Sequence, residues 1–297
     1  MKQYYTPGVI VFTIFNYIFI SVMALTCILP FINMIAISFS SSNAAAAGRV
    51  GLWPVEFSPN SYNLVMENIK FWKAALVSIR RIVIAVPLNL AFTVITAYPL
   101  SKEPSEFKMR NIYVWFFMIT MLFSGGLIPF YLVIKTLGIM DTIWALTIPG
   151  AFSIWNTIIM LNFFRGLPKE LEEAALIDGA GYLTTLARII LPLSTPSLAT
   201  IALFSIVAHW NSWFDGLIYM NRSDNYPLQS YLQTVNIDPA TLFRNIKDPA
   251  IVAKYLSTSK KTLRAAQLFI AALPVLAAYP FLQKYFTKGL VLGSVKG

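Results

Sequence analysis

The sequence contains a single cysteine, a single histidine and few charged residues. Charged side chains make up 12% of its 297 residues, which is about half of their share in a typical soluble domain and argues against a soluble enzyme. Cys27 has no second cysteine with which to form an intramolecular disulfide. Hydrophobic residues make up 57% of the chain, which excludes a disordered protein. The remaining class is a membrane protein that crosses the bilayer several times.

Groups that carry catalysis are also missing. No glycine is followed by lysine, so the sequence lacks the loop that holds nucleotide phosphates, and any ATP must be hydrolysed by another polypeptide. One histidine and one cysteine cannot supply the ligand cluster of a zinc site. Basic residues give a net charge of +10, but they are spread among hydrophobic runs instead of clustering with aromatics. We therefore expect no catalytic residue, metal or cofactor in this chain, and no nucleic-acid partner.

Six stretches of the chain are long and apolar enough to cross a bilayer. They lie at about residues 11–37, 82–100, 112–134, 143–164, 197–220 and 263–281. An even number of spans places both termini on one side of the membrane. The basic residues do not decide which side that is, because two of the connecting segments are long and the charge rule weighs short loops. The sequence thus predicts an all-α protein with six transmembrane helices in one domain, residues 1–297.

The connection at residues 165–196 contains the signals of a short helix outside the bilayer. Pro168 suits the first turn, three glutamates follow at the positive end of the helix dipole, and Asp178-Gly179 ends the helix. A second helix is expected at residues 182–190, stopped by Leu191-Pro192.

One face of the first of these helices is suited to a partner surface. Ala174 and Ala175 are small enough to let that surface come close, and Glu172 and Glu173 can accept hydrogen bonds from it. The residues alone leave open a helix that merely joins two spans.

The same residues carry a resemblance to a known family. Glu173-Ala174-Ala175, Asp178-Gly179-Ala180 and Ile189-x-Leu191-Pro192 resemble the EAA loop of ABC importer permeases. Other stretches extend the likeness to MalG-like carbohydrate permeases, in the branch that serves complex oligosaccharides. They are Gly125-Gly126-Leu127-Ile128-Pro129, Trp144-Ala145-Leu146, His209-Trp210-Asn211-Ser212-Trp213-Phe214 and Pro227-Leu228-Gln229. The resemblance covers about residues 10–297.

The resemblance implies a type I ABC importer permease fold in a bacterial cytoplasmic membrane, with the EAA loop and both termini in the cytoplasm. It implies a second, homologous permease subunit, an ABC ATPase dimer that binds ATP and Mg, and an extracytoplasmic solute-binding protein that docks on residues 38–71 and 221–262. The residues expected to couple ATPase closure to alternating access are Glu172, Glu173, Ala174, Ala175, Asp178 and Gly179. A bulky charged residue in place of Ala175 is then expected to uncouple transport without unfolding the bundle.

The fifth span carries a polar and aromatic cluster that suits a sugar pathway. Tryptophan rings can lie against sugar rings while amide and carboxylate groups bind hydroxyls. The residues concerned are Trp210, Asn211, Trp213 and Asp215, and the Gly125-Gly126 pair of the third span is a candidate pore wall. Alternatives are an interfacial belt for the tryptophans, helix-bridging roles for the polar groups and a simple bend for the glycines.

The loops expected outside the cell carry thirteen basic and six acidic residues. The basic ones are Arg49, Lys70, Lys73, Arg80, Arg81, Lys135, Arg222, Arg244, Lys247, Lys254, Lys260, Lys261 and Arg264. A cationic entrance favours an acidic substrate such as a uronate-containing oligosaccharide, or an acidic rim on the binding protein. Anionic lipid near residues 70–81 is the other explanation of this charge.

An ion-coupled secondary transporter is the alternative function. Such proteins keep ionisable residues inside the bilayer as relays or ion ligands. Within the expected spans His209 and Asp215 are of this kind, whereas Arg80 and Arg81 lie at the outer edge of the second span and Arg264 at the edge of the sixth. The same shortage of polar groups argues against a membrane-embedded enzyme.

Overall fold

The computed structural model describes residues 7–237 and 259–294, and every regular element in these ranges is helical. The helices are α1 (Pro7–Ser38), α2 (Ser42–Ala46), α3 (Asn60–Glu67), α4 (Ile69–Ser101), α5 (Arg110–Leu122), α6 (Leu127–Thr136), α7 (Ile143–Thr147), α8 (Ile154–Arg165), α9 (Glu170–Ile177), α10 (Tyr182–Thr185), α11 (Leu191–Leu193), α12 (Thr195–Asn211), α13 (Phe214–Tyr219), α14 (Leu228–Ile237) and α15 (Lys260–Ser294). The prediction of an all-α protein is confirmed.

These helices belong to two compact units. The first is formed by residues 7–69 and 259–273, and the second by residues 70–237 and 274–294. One transmembrane domain over residues 1–297 stays a prediction. In the first unit, the chain that follows α1 folds back on the end of this helix, where Asn33 donates to the carbonyl oxygen of Gly51 over 2.7 Å. The rest of α1 is apolar and exposed around its circumference, which is typical of a helix surrounded by lipid or by another subunit.

The second unit begins with α4, which starts thirteen residues before the expected span at residues 82–100. Phe71, Ala74, Ala75 and Ser78 are buried at the spacing of one helix face, so packing continues the helix beyond its most apolar stretch. Lys73 between these positions, with Lys70 before them and Arg80 and Arg81 after them, lowers the hydropathy of the segment and hides that pattern in the sequence.

Most of the remaining expected spans are interrupted. Within the described residues, α1, α4 and Lys260–Ala278 are long and apolar enough to cross a membrane as single helices. Two bent pairs pass the same test together: α5 with α6, at 113°, and Tyr182–Leu193 with α12, at 80°. The stretch at residues 143–164 is divided between α7 and α8. Six spans therefore stay a prediction.

The sequence predicted that the helix after α9 stops before Pro192, but the structure continues it beyond this proline. A π-helical turn at Leu186–Ile190 connects α10 to α11, which ends at Leu193. The amide of Leu191 donates to the carbonyl of Leu186, one residue farther back than in an α-helix. This widening accommodates a proline whose missing amide and bulky ring would otherwise break the helix.

A hydrophobic core joins the EAA-like loop to the helices around it. Its buried side chains are Val94, Ala97, Tyr98, Met160, Phe164, Leu186, Ile190 and Ile201. They come from α4, α8, the π-helical turn and α12. This core fixes the position of the segment that carries α9.

Candidate functional site

Helix α9 occupies the position predicted for the short helix outside the bilayer. Glu170, Glu172 and Glu173 lie in its first turn, where the free amides and the helix dipole favour negative charge. The helix ends at Ile177, and Gly179 follows with φ +80°, a conformation that favours glycine.

The two alanines of this loop lie in different environments. Ala174 is exposed, whereas Ala175 is buried, with 5% of its surface accessible. Ala175 is therefore covered by its own chain and Ala174 is the accessible one of the two, while a docking role for this pair stays a prediction. The difference in burial follows from helical geometry, because neighbouring residues point about 100° apart and α9 has its own chain on one side.

The two glutamates differ in the same way. Glu172 forms an ion pair with Lys102, and both side chains are largely buried. The Lys102 ammonium also lies 4.4 Å from the centre of the Tyr98 ring, a cation–π contact. Glu173 is exposed. Glu172 thus fastens α9 to the end of α4, and Glu173 remains accessible to a partner.

A second ion pair joins the same two segments at the surface, between Lys169 and Glu103. The hydrogen bond from Lys169 lowers the pKa of Glu103, and the same bond raises the pKa of Lys169. Both side chains are well exposed, so water and salt screen this pair.

The carbonyl of Leu100, at the end of α4, accepts hydrogen bonds from two arginines. The donors are Nε of Arg110, at 2.9 Å, and Nη2 of Arg165, at 3.3 Å. An open cleft of about 530 Å³ lies between this helix end and α9. It is lined by Ser101, Lys102, Glu103, Pro104, Glu106, Arg110, Phe164, Arg165, Leu167, Pro168, Lys169, Glu172, Glu173, Leu176, Tyr182 and Ile190.

Apolar side chains are exposed where α9 ends and α10 begins. Ile177 and Leu183 are 85% and 81% exposed, and Leu176 and Tyr182 are exposed as well. None of these four residues belongs to the docking face predicted from the sequence. A signal was present in the sequence: these apolar residues stand in a polar connection at positions that do not share the helix face of the buried Ala175. With Glu173 and Ala174 they form a surface that we call the α9 surface.

The second candidate site is the break between α12 and α13. Ser212 and Trp213 leave the helical conformation, and the carbonyl of Trp213 accepts a hydrogen bond of 2.6 Å from the hydroxyl of Ser230. Asn211 and Trp213 are exposed beside the break, whereas Trp210 is buried. Phe214 is also exposed and contacts Trp213 edge to face, with 5.6 Å between ring centres. Phe214 is absent from the residues predicted for a sugar pathway.

Asp215 is held by groups of its own chain. Nη1 of Arg81 donates to its Oδ1 over 3.3 Å, and Nη2 of Arg81 donates to Oδ2. The Ser212 hydroxyl and the Gly216 amide also donate to Oδ1, over 2.8 and 2.9 Å. Both carboxylate oxygens are therefore occupied.

Arg81 is buried, so it does not face lipid, which was the other explanation of the charge near residues 70–81. Its Nε donates to Nδ1 of His209 over 3.1 Å, so the proton of that imidazole lies on Nε2. His209 is buried, and its ring packs against Gly150, where an added Cβ would lie 2.9 Å from Cε1. The neighbouring Arg80 is exposed. Helix packing, which the sequence does not reveal, turns one arginine inward and leaves the other outside.

The comparisons with known proteins agree with this architecture. Residues 105–291 match the family described as binding-protein-dependent transport system inner membrane component. The chain belongs to this family.

The permease is similar to known proteins over nearly its whole length. It is 41% identical to protein LplC of Bacillus subtilis, over 97% of this chain and 95% of that protein. It is 37% identical to YtcP of the same organism, a polygalacturonan/rhamnogalacturonan transport system permease protein, over 96% and 98% of the two chains. A solved structure of a bacterial ABC transporter involved in the import of alginate, an acidic polysaccharide, is 32% identical and matches with a TM-score of 0.86, over 96% of this chain and 100% of that one.

These relatives identify the chain as a membrane-embedded transport subunit of an ABC importer and not an enzyme, which confirms that prediction. In the permease, no group of His, Cys, Asp or Glu that could hold a metal ion lies within residues 7–237 and 259–294.

Gly125 and Gly126 lie exposed in the turn between α5 and α6, where Gly126 has φ +83°. Helix α6 packs through Ile134 in one cluster with Tyr219 of α13.

Proposed function

We propose that the permease is one membrane subunit of an ATP-driven importer of acidic, uronate-containing oligosaccharides. The likeness to the alginate importer over nearly the whole chain is the observation that carries this proposal, and YtcP supports it by its name. The loops expected outside the cell support it by their surplus of positive charge. Arg81 does not contribute to that surplus because it is buried and paired with Asp215, but the other twelve basic residues still outnumber the six acidic ones.

The α9 surface is the docking surface for the ATPase in this proposal. Ile177 and Leu183 offer apolar side chains that a partner would cover, and Glu173 offers a hydrogen-bond acceptor beside them. ATP and Mg bind to that ATPase, because this chain has no phosphate-binding loop. Movement of α9 reaches α4 through the ion pair between Glu172 and Lys102, and the bundle changes between inward and outward access.

The sugar pathway includes Asn211 and Trp213, to which the structure adds Phe214. An exposed amide beside two exposed rings can bind hydroxyl groups and cover the apolar face of a sugar. Trp210 and Asp215 lie behind this surface, since the first is buried and the second is occupied by Arg81. The Gly125-Gly126 turn remains a candidate wall of the same pathway.

An extracytoplasmic binding protein delivers the sugar to loops on the other side from α9. Asp141 stabilises one part of that surface, because its hydrogen bonds join the loop after α6 to the loop after α13. Burial alone would raise the pKa of Asp141, but hydrogen bonds from Asn225 and from the amides of Arg222 and Asn221 lower it below its usual value. The proposed docking segments are residues 38–71 and 221–262, of which 238–258 lie outside the described residues.

The proposed assembly lies in a bacterial cytoplasmic membrane with both chain termini in the cytoplasm. It contains this permease, a second homologous permease and two ATPase subunits. The extreme termini, residues 1–6 and 295–297, lie outside the described residues. An ion-coupled secondary transporter remains the alternative.

Uptake by the complete transporter in proteoliposomes tests the proposal. The vesicles receive binding protein outside, ATP inside and a labelled oligogalacturonate. We expect ATP-dependent uptake that unlabelled uronate oligomers inhibit and neutral oligomers of the same length do not. Equal competition by neutral oligomers would refute the acidic substrate. Uptake that needs an ion gradient and no ATP would instead establish the secondary transporter.

A further inference from the structure

Three elements converge on the break between α12 and α13. Arg81 comes from α4, and Asp215 lies in the first turn of α13. Ser230 comes from α14 and binds the carbonyl of Trp213. The backbone of the break is therefore tied on both sides within the chain, and the rings of Trp213 and Phe214 remain exposed.

The arginine suits this task for a geometric reason. Its planar guanidinium donates to both oxygens of Asp215, which fixes the direction of the carboxylate as well as its distance. His209 accepts from the remaining Nε and holds the guanidinium plane. A lysine ammonium is a single point charge and would leave the direction of the carboxylate free.

Two glycines pack closely against the ends of this hydrogen-bond network, one at His209 and one at Ser230, and restrict its movement. Gly150 lies against the His209 ring, so that the ring cannot move toward α7. Gly216 lies against Ser230, where an added Cβ would approach the hydroxyl to 2.1 Å. Both contacts need a residue without a side chain.

We propose that Arg81 is a positioning residue for sugar recognition. Through Asp215 it sets the conformation of the Ser212–Trp213 break and so the direction in which Asn211, Trp213 and Phe214 face the pathway. It does not touch the sugar. This inference rests on the proposed function, in which those three side chains contact the oligosaccharide.

The test compares Arg81→Lys with Arg80→Lys in the complete transporter. The two positions are adjacent, but Arg80 is exposed, so it is the matched control. We expect Arg81→Lys to raise the apparent KM for oligosaccharide uptake by about tenfold, because losing one charged hydrogen bond lowers the population of the correctly oriented break by about that factor. Basal ATPase activity and recovery of the assembled complex should stay within about twofold of the unchanged protein. Arg80→Lys should leave KM unchanged.

Equal KM values for the two lysine variants would overturn the inference. So would a lower yield of assembled complex with reduced ATPase activity and an unchanged KM, since that is the signature of a purely structural role. If Arg81→Lys does not assemble, Ser212→Ala decides, because it removes one donor to Asp215 and keeps the ion pair. An unchanged KM for Ser212→Ala then overturns the inference, and a smaller rise supports it.

Two further variants separate this inference from the proposed function. Asn211→Ala and Trp213→Ala should each raise KM if these side chains contact the sugar. If they do so and Arg81→Lys does not, the positioning role alone is wrong. If neither raises KM, the assignment of the pathway fails, and the role of Arg81 fails with it. Absence of any oligosaccharide uptake by the unchanged transporter refutes both.

Discussion

Two ion pairs connect α4 and the residue after it to other helices, one from Arg81 within α4 and one from Lys102 just beyond its end, and the two pairs have different surroundings. Arg81 binds Asp215 in a buried network, in which Arg81 also donates to His209 and Asp215 also accepts from Ser212. Lys102 binds Glu172 beside an open cleft, about 30 Å farther along the helix. Four hydrogen bonds to Asp215 fix the geometry of the first pair, whereas the second pair joins α9 to the end of α4 beside the cleft. In the proposed function the first pair therefore serves a fixed site and the second a mechanical link.

The largest expected effect comes from breaking the buried pair. Asp215→Asn leaves the Arg81 charge buried without its partner, and we expect a loss of about 3 kcal/mol or more in the free energy of unfolding. Asp224→Asn is the matched control, because the pair of Asp224 with Lys73 is exposed, at 4.0 Å. That control should change stability by less than about 0.5 kcal/mol. Thermal unfolding of the purified complex in detergent measures both, and equal destabilisation would contradict the comparison.

A smaller effect is expected from charges placed on α9. Ala175→Glu should cost about 2 kcal/mol, because it forces a large charged side chain into a packed position. The original expectation for this substitution, uncoupling without unfolding, therefore passes to Ala174→Glu, which changes an exposed residue. The measurements are unfolding temperature and the stimulation of ATPase activity by loaded binding protein. Loss of stimulation in Ala174→Glu at unchanged stability is the expected result, and normal stimulation there would contradict a docking role for α9.

The packing around His209 gives the next prediction. Gly150→Ala should destabilise the permease by about 1 kcal/mol or more, since the added Cβ would lie 2.9 Å from the imidazole ring. Gly125→Ala is a suitable control because its added Cβ would meet only Pro129, at 3.9 Å. If the two variants unfold at the same temperature, the contact at Gly150 does not restrain His209.

The smallest effects are expected at the two ion pairs of α9. Lys102→Met should destabilise the permease by about 1 kcal/mol and weaken ATPase coupling, because Glu172 lines the open cleft, where water can solvate the carboxylate that is left without its partner. Lys169→Met removes an exposed pair that water and salt screen, and it should leave unfolding nearly unchanged at physiological salt concentration. Coupling efficiency, as sugar transported per ATP, distinguishes them. A larger loss for Lys169→Met would reverse the assignment of the link.

The sequence was informative about α9 because its signals are local. Prolines, glutamates and glycine mark the start and the end of a short helix through the first and last backbone groups, which neighbours in the chain satisfy. The helix is found where they predicted it. Which side of it is covered depends on where the rest of the chain lies, so the burial of Ala175 could not be predicted from the sequence.

Prolines gave weaker guidance. Pro87 and Pro99 lie inside α4, and Pro192 lies in a continuous run that the π-helical turn makes possible. A proline removes one hydrogen bond and introduces a bulky ring, but packing by neighbouring helices compensates for both. The sequence shows that disturbance and not the compensation, so it predicted a stop at Pro192.

The sequence by itself determined the all-α membrane class, the apolar stretches, the absence of a nucleotide-binding loop and the place of α9. These follow from composition and from the order of neighbouring residues. Only the tertiary structure decided that Arg81 turns inward to Asp215 while Arg80 remains exposed, and that Trp213 is exposed while Trp210 is buried. The physical reason is that burial and pairing depend on residues more than a hundred positions apart in the chain, whose meeting depends on how the helices pack.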